Sequence, residues 1–192
     1  MLREGKVQAA DDLRARIAAK TARVGVLCLG YVGLPLTVAY AEAGFPTCGL
    51  DVDLSKVETL RKGRSYIRHI ASEPIARLVS EQKLHLTADL SELSACDAIL
   101  ICVPTPLNES REPDLGYVRA SAEAIAAALR PGQLVVLEST TYPGTTEEIL
   151  KPILETSGLR AGEDFHLAYS PEREDPNNPV FQTGNIPKLV GG

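Results

Sequence analysis

Residues Arg23 to Phe45, RVGVLCLGYVGLPLTVAYAEAGF, run from an apolar strand straight into a helix, with Gly30 and Gly33 at the turn. A turn of this kind can do one piece of chemistry well. Gly30 lets backbone approach a pyrophosphate, Gly33 lets the helix pack close to the strand, and the helix N-terminus offers unpaired N–H groups to the phosphates. The three-glycine form of this turn, G-x-G-x-x-G, needs a further glycine where this chain has Cys28. If that position takes a positive φ, the side chain adds strain; if its dihedrals are ordinary, the cost falls on the fit around the phosphates.

A second group sits at the right distance. Asp51 in GLDVD lies 18 residues beyond Gly33, close to the roughly 20 expected of a carboxylate that accepts from a ribose diol. Asp53 suits the N-cap of a helix starting at Leu54, which leaves Asp51 for the ribose. A carboxylate there repels a 2′-phosphate, and no arginine follows directly in DVDLSK, so the expected cofactor is NAD rather than NADP.

Hydroxyls and charges gather after the later apolar runs. Pro104 and Pro106 hold Thr105 in a stiff turn. ESTTYPGTTEE places Ser139, Thr140 and Thr141 just before a helix start, where part of the hydroxyl content serves as capping. YSPEREDPNNP is a charged stretch stiffened by prolines, unusual in a plain connector.

The elements that must position these groups alternate along the chain. Short apolar β-type runs fall at 24–29, 46–51, 84–87, 98–103, 134–139 and 165–170, with a last one at 188–192. Helical patterns fill 33–43, 54–62, 73–82, 116–129 and 145–156, and a leading helix covers 9–20 with Asp11 or Asp12 able to cap it. Strands apolar on both sides and separated by helices define an α/β fold, a doubly wound parallel sheet covered on both faces. Ligands of such a sheet sit at the carboxyl ends of its strands, where every group above is found.

Composition excludes several classes. The 192 residues carry 20 Lys plus Arg against 25 Asp plus Glu, a net charge of −5, so no nucleic-acid or anionic-membrane partner is expected. Four cysteines without C-x-x-C spacing read as buried thiols of a cytoplasmic protein. His69, His85 and His166 are scattered, and no metal site is expected. No apolar run approaches the roughly 20 residues of a membrane span.

The segments GYVGLPL, GLDVDLSKV, ICVPTPLN, PDLGYV, STTYPGTT, YSPERED and IPKLVGG, taken in order, resemble the cofactor half of the UDP-glucose/GDP-mannose dehydrogenase family. The resemblance runs from about Thr21 to Gly192. The leading helix and the SPERED form are most similar to the bacterial UDP-N-acetylhexosamine 6-dehydrogenase branch.

The resemblance implies a Rossmann-like NAD-binding domain over 23–192 behind a leading helix in 1–22. It implies two-step oxidation of the C6 hydroxymethyl of a UDP-sugar to a carboxylate, with two NAD, no metal and a cysteine that captures the intermediate aldehyde. By match to its motifs, Gly30, Tyr31, Val32 and Gly33 hold the pyrophosphate, Asp51 the adenosine ribose, and Lys56 lies nearby. Pro104, Thr105, Ser139 and Thr140 line the cofactor, and Thr140 also positions water or the reacting group. Glu172 serves acid–base chemistry and, with Arg173, meets the substrate.

Two departures stand out. Cys28 replaces the first glycine, and nothing here matches the family's glycine-rich cysteine stretch; none of the four cysteines is a credible substitute, Cys102 at a strand's carboxyl end being the least implausible. The chain is therefore expected to be a piece lacking the central helix and substrate domain, able to bind NAD but inactive alone. Any homo-oligomer is expected of the longer protein. The rival reading is a stand-alone Rossmann module that binds NAD or a nucleotide without catalysis.

Overall fold

A computed structural model describes residues 2–171 and 187–192. Six parallel strands form one sheet: β1 (Val24–Leu27), β2 (Thr47–Leu50), β3 (Leu84–Thr87), β4 (Ala98–Ile101), β5 (Leu134–Leu137) and β6 (His166–Tyr169). Their order is β3-β2-β1-β4-β5-β6. The chain builds outward on one side of β1, then returns to build outward on the other. The point of reversal, between β1 and β4, opens a crevice at their carboxyl ends.

Helices cover both faces. On one lie α2 (Gly33–Glu42), α3 (Leu54–Arg61) and α4 (Ser72–Ser80), which close over Leu34, Val57, Leu60, Ile75, Leu78, Leu84 and Leu86. On the other, α5 (Gly116–Ala128), α6 (Lys151–Leu154) and the turn leading into α6 pack Val118, Ile125, Leu150 and Leu154 against Ile99, Ile101, Val135 and Leu137. Alternate residues of β4 thus serve different clusters: Ile99 and Ile101 the core under α5, Leu100 a smaller cluster with Val24, Val26 and Leu36 of α2. This is why the strands read as continuous apolar runs.

Four expectations need correction. The leading helix α1 spans Leu2–Ala18, so Asp11 and Asp12 lie within it rather than at its start. The single helix expected over 145–156 is composite: a π-helix at Thr145–Leu150, α6, and a 3₁₀ turn at Glu155–Ser157. Pro152 withdraws an N–H from the ladder there. The run at 188–192 is not a strand; Tyr169 and Gly191 exchange a single antiparallel pair of hydrogen bonds, of 2.8 and 2.9 Å. Finally, the strands stop early, so Cys28, Asp51, Cys102 and Ser139 all lie beyond strand ends.

At the amino-terminal edge of the sheet, Asp97 ties three segments together. Its Oδ1 accepts from Arg16 at 2.6 Å and Arg130 at 2.5 Å, and its Oδ2 from the Arg23 N–H at 2.9 Å. Burial works to raise this carboxyl, but the Arg23 and Arg130 hydrogen bonds outweigh it and hold it below the usual carboxylate range.

Candidate functional site

The turn after β1 is built by long-range hydrogen bonds. The Cys28 N–H donates to the Leu50 carbonyl at 2.8 Å, and the Leu29 N–H donates to Asp51 Oδ2 at 2.8 Å. Tyr66, from the connection between α3 and α4, donates its hydroxyl to the Leu29 carbonyl. Cys28 is forced to φ +76°, the left-handed region that disfavours side chains. Burial pushes its thiol up, and the Asp51 carboxylate adds to the effect, so Cys28 stays protonated at neutral pH.

Helix α2 starts at Gly33 with no side-chain cap and no acidic residue in its first turn. Its terminus is therefore suited to receive an anion from outside the chain. Among the described residues the space over Gly30 is open: a Cβ there would meet Cys28 Sγ, 3.8 Å away. An uncapped helix start behind an open glycine is the cradle a pyrophosphate needs, so these residues fit a dinucleotide.

Two clefts meet at this turn. One, of about 550 Å³, lies over the ends of β1, β4 and β5, with Gly30, Tyr31 and Val32 on one wall and Pro104, Thr105, Ser139 and Thr140 on the other. The second, of about 350 Å³, lies on the β2 side, against Asp51, Lys56, Tyr117 and Ser121. Cys28, Lys56, Val103 and Pro104 line both. A groove in two halves, joined at a helix N-terminus, has the layout of a dinucleotide.

The predicted residues divide by what they do. Asp51 is buried (3% exposed); Oδ2 accepts from Leu29 N and Lys56 Nζ (3.2 Å), and Oδ1 from Asp53 N (3.0 Å). Three of roughly four acceptor positions are thus engaged. Asp53 caps α3, accepting from the Ser55 N–H at 2.9 Å, as its spacing predicts. Thr105 Oγ1 donates to the Thr140 carbonyl at 2.6 Å, tying the turn after β4 to that after β5. Ser139 lines the cleft, and its hydroxyl donates to the carbonyl of Val103 at 2.6 Å. Glu172 and Arg173 lie outside the described residues.

Sequence reasoning missed Tyr66 and Ile67 in the larger cleft and Tyr117 and Ser121 in the smaller. Tyr66 carries no motif signal. The position of Tyr117 in the first turn of α5, directly after the β4 loop, was the available clue for the smaller cleft.

Sheet order, uncapped helix and split groove define a Rossmann-type dinucleotide-binding domain. Residues 22–192 match the UDP-glucose/GDP-mannose dehydrogenase family, NAD binding domain, and the chain belongs to that family. It is 38% identical over 174 residues to UDP-N-acetyl-D-glucosamine 6-dehydrogenase of Pseudomonas aeruginosa, across 90% of this chain and 40% of that protein. Among solved structures, NDP-N-acetyl-D-galactosaminuronic acid dehydrogenase from Methanosarcina mazei superposes with a TM-score of 0.78 at 33% identity, over 94% of this chain and 41% of the other. UDP-D-ManNAc dehydrogenase from Pyrococcus horikoshii gives 0.75 at 36% identity, over 80% and 37%. The chain spans about 40% of the length of the curated relatives it matches. Among the described residues no helix is long and apolar enough to cross a membrane.

Proposed function

We propose that this chain is the cofactor half of a nucleotide-sugar 6-dehydrogenase, which oxidises the C6 hydroxymethyl of a UDP-N-acetylhexosamine to a carboxylate with two NAD. The observation that carries this reading is the larger cleft, where the uncapped start of α2 faces Thr105 and Thr140 across open space. A pure nucleotide-binding module has no use for that second wall.

When bound, NAD accepts a hydride from the substrate carbon. The residues around it bind and orient. Backbone from Gly30 to Gly33 receives the pyrophosphate, Asp51 accepts from the adenosine ribose, and the nearby Lys56 ammonium balances the carboxylate. Pro104 and Thr105 form a stiff wall beside the nicotinamide end. Ser139 acts through its backbone latch to Val103, as a positioning residue, and the exposed Thr140 offers its hydroxyl to water or the reacting group. Glu172 as acid–base group and Arg173 as substrate contact rest on the motif match alone. Domain limits near residues 22 and 23, action in the cytoplasm, and a homo-oligomer of the longer protein belong to the same proposal; four free cysteines support the compartment.

The test has two arms. Calorimetric titration of the chain should show NAD bound at least tenfold tighter than NADP, and the chain alone should produce no NADH from UDP-N-acetylglucosamine. Reading the source gene beyond codon 192 should then reveal a glycine-rich cysteine motif. A stop codon there, with NAD binding intact, would replace the dehydrogenase reading with a stand-alone binding module.

A further inference from the structure

The sheet carries a second cluster of reactive groups, away from the cofactor groove. Gly25, Cys48 and His85 are register partners across β1, β2 and β3, so their side-chain positions share one face near the amino-terminal edge. Over that row lies the 3₁₀ helix Leu90–Ala95, from which Glu92 reaches back. His85 Nε2 stands 3.0 Å from Glu92 Oε2 and 3.1 Å from Oε1. The donor atoms of Cys48, His85 and Glu92 all lie within 4.8 Å of one another.

We propose that Cys48, His85 and Glu92 form a binding site for one thiophilic divalent cation, of the zinc class. The donor set is sulfur, imidazole nitrogen and carboxylate oxygen, which suits zinc and disfavours magnesium or calcium. Bonds of about 2.0–2.3 Å in a tetrahedron place donors roughly 3.3–3.8 Å apart, so the three atoms need only small movements. Cys48 is fully buried, while the His85 side chain is 52% exposed and gives an ion a route from solvent.

The neighbours are consistent with the site and set its strength. Cys96 sits over Gly25, where a Cβ would lie 2.7 Å from its sulfur, and its thiol donates to the Glu92 carbonyl at 3.7 Å. It borders the site without being one of the three ligands. The Arg23 guanidinium donates to Glu92 Oε2 at 3.2 Å. It holds the cation's place in the metal-free protein and must turn outward when the ion enters; its side chain is 32% exposed, so that path is open. A bound ion would clip edge strand β3 to β2 and to the 3₁₀ helix. The inference is independent of the cofactor reading.

The test uses the full chain, reduced and stripped with chelator. Zinc titrated in competition with a chromophoric chelator should bind one to one and raise the thermal midpoint. Cobalt(II) should give a thiolate charge-transfer band. His85→Gln, at an exposed position, should weaken zinc at least tenfold and abolish the midpoint shift, and Cys48→Ser should remove the cobalt band. Absence of one-to-one binding, unchanged affinity in His85→Gln, or a cobalt band that survives in Cys48→Ser would overturn the proposal. Where Cys48→Ser does not fold, Glu92→Gln beside His85→Gln decides it: both must lose affinity.

Discussion

The carbonyl oxygen of Cys28 occupies the space that a side chain on residue 33 would need: a Cβ built on Gly33 would lie 1.8 Å from it. The first turn of α2 therefore rests directly on the backbone of the β1 turn, and no rotamer can relieve the overlap. This contact sets both the height of the helix start above the sheet and the depth of the cradle in front of it.

Gly33→Ala should consequently damage both stability and binding. Forcing helix and turn apart costs on the order of 1–3 kcal/mol, visible as a lower urea midpoint. NAD affinity should fall at least tenfold, because the N–H groups that face the pyrophosphate move with the helix. A variant with wild-type midpoint and affinity would show that the turn relaxes freely.

Cys28→Gly should move the other way. At φ +76° the cysteine carries about 1–2 kcal/mol of left-handed strain, partly offset because glycine loses more chain entropy on folding. The net expectation is a gain of up to about 1 kcal/mol in stability and NAD binding tighter by up to tenfold, since 1.4 kcal/mol is one decade. Parallel denaturation and NAD titration of the two proteins measure it. Unchanged or weaker binding would mean that the Cys28 side chain helps the site.

Asp51→Ala should weaken NAD by tenfold or more, since a hydrogen bond to a charged group contributes about 1.5–3 kcal/mol. The discrimination against NADP should shrink with it. The Leu29 and Asp53 N–H groups also lose their acceptor, so the urea midpoint should drop as well. Calorimetry on the folded variant separates the two effects, and equal NAD affinity would remove Asp51 from the ribose.

Asp97→Asn should cost about 2–3 kcal/mol at pH 7, because two arginines and a backbone N–H lose a charged acceptor. The folded Asp97 carboxyl titrates below its unfolded value of about 3.9. Its contribution is therefore full above about pH 4 and is lost as pH falls through the depressed folded value. The gap between wild-type and variant urea midpoints should narrow toward pH 3; a gap constant with pH would contradict this linkage.

Much of the domain is determined within short stretches of sequence. Apolar runs of β length separated by helical periodicity dictate the doubly wound sheet, because each strand must bury both faces. Gly30 and Gly33 mark the turn, and the Asp53 cap is settled within three residues by its bond to Ser55. Such interactions are decided by spacing along the chain, and spacing can be read directly.

What the tertiary structure alone decides are contacts between residues far apart in sequence. The positive φ of Cys28 is imposed where its N–H meets Leu50 and its carbonyl meets Gly33. The Ser139 hydroxyl is taken by Val103, and Tyr66 arrives from a connection without a motif. The histidines look scattered in sequence, yet the parallel register sets His85 beside Cys48, and Glu92 folds back over them. Strand order and register are collective properties of the whole sheet, and a local pattern carries no information on which distant side chain becomes a neighbour.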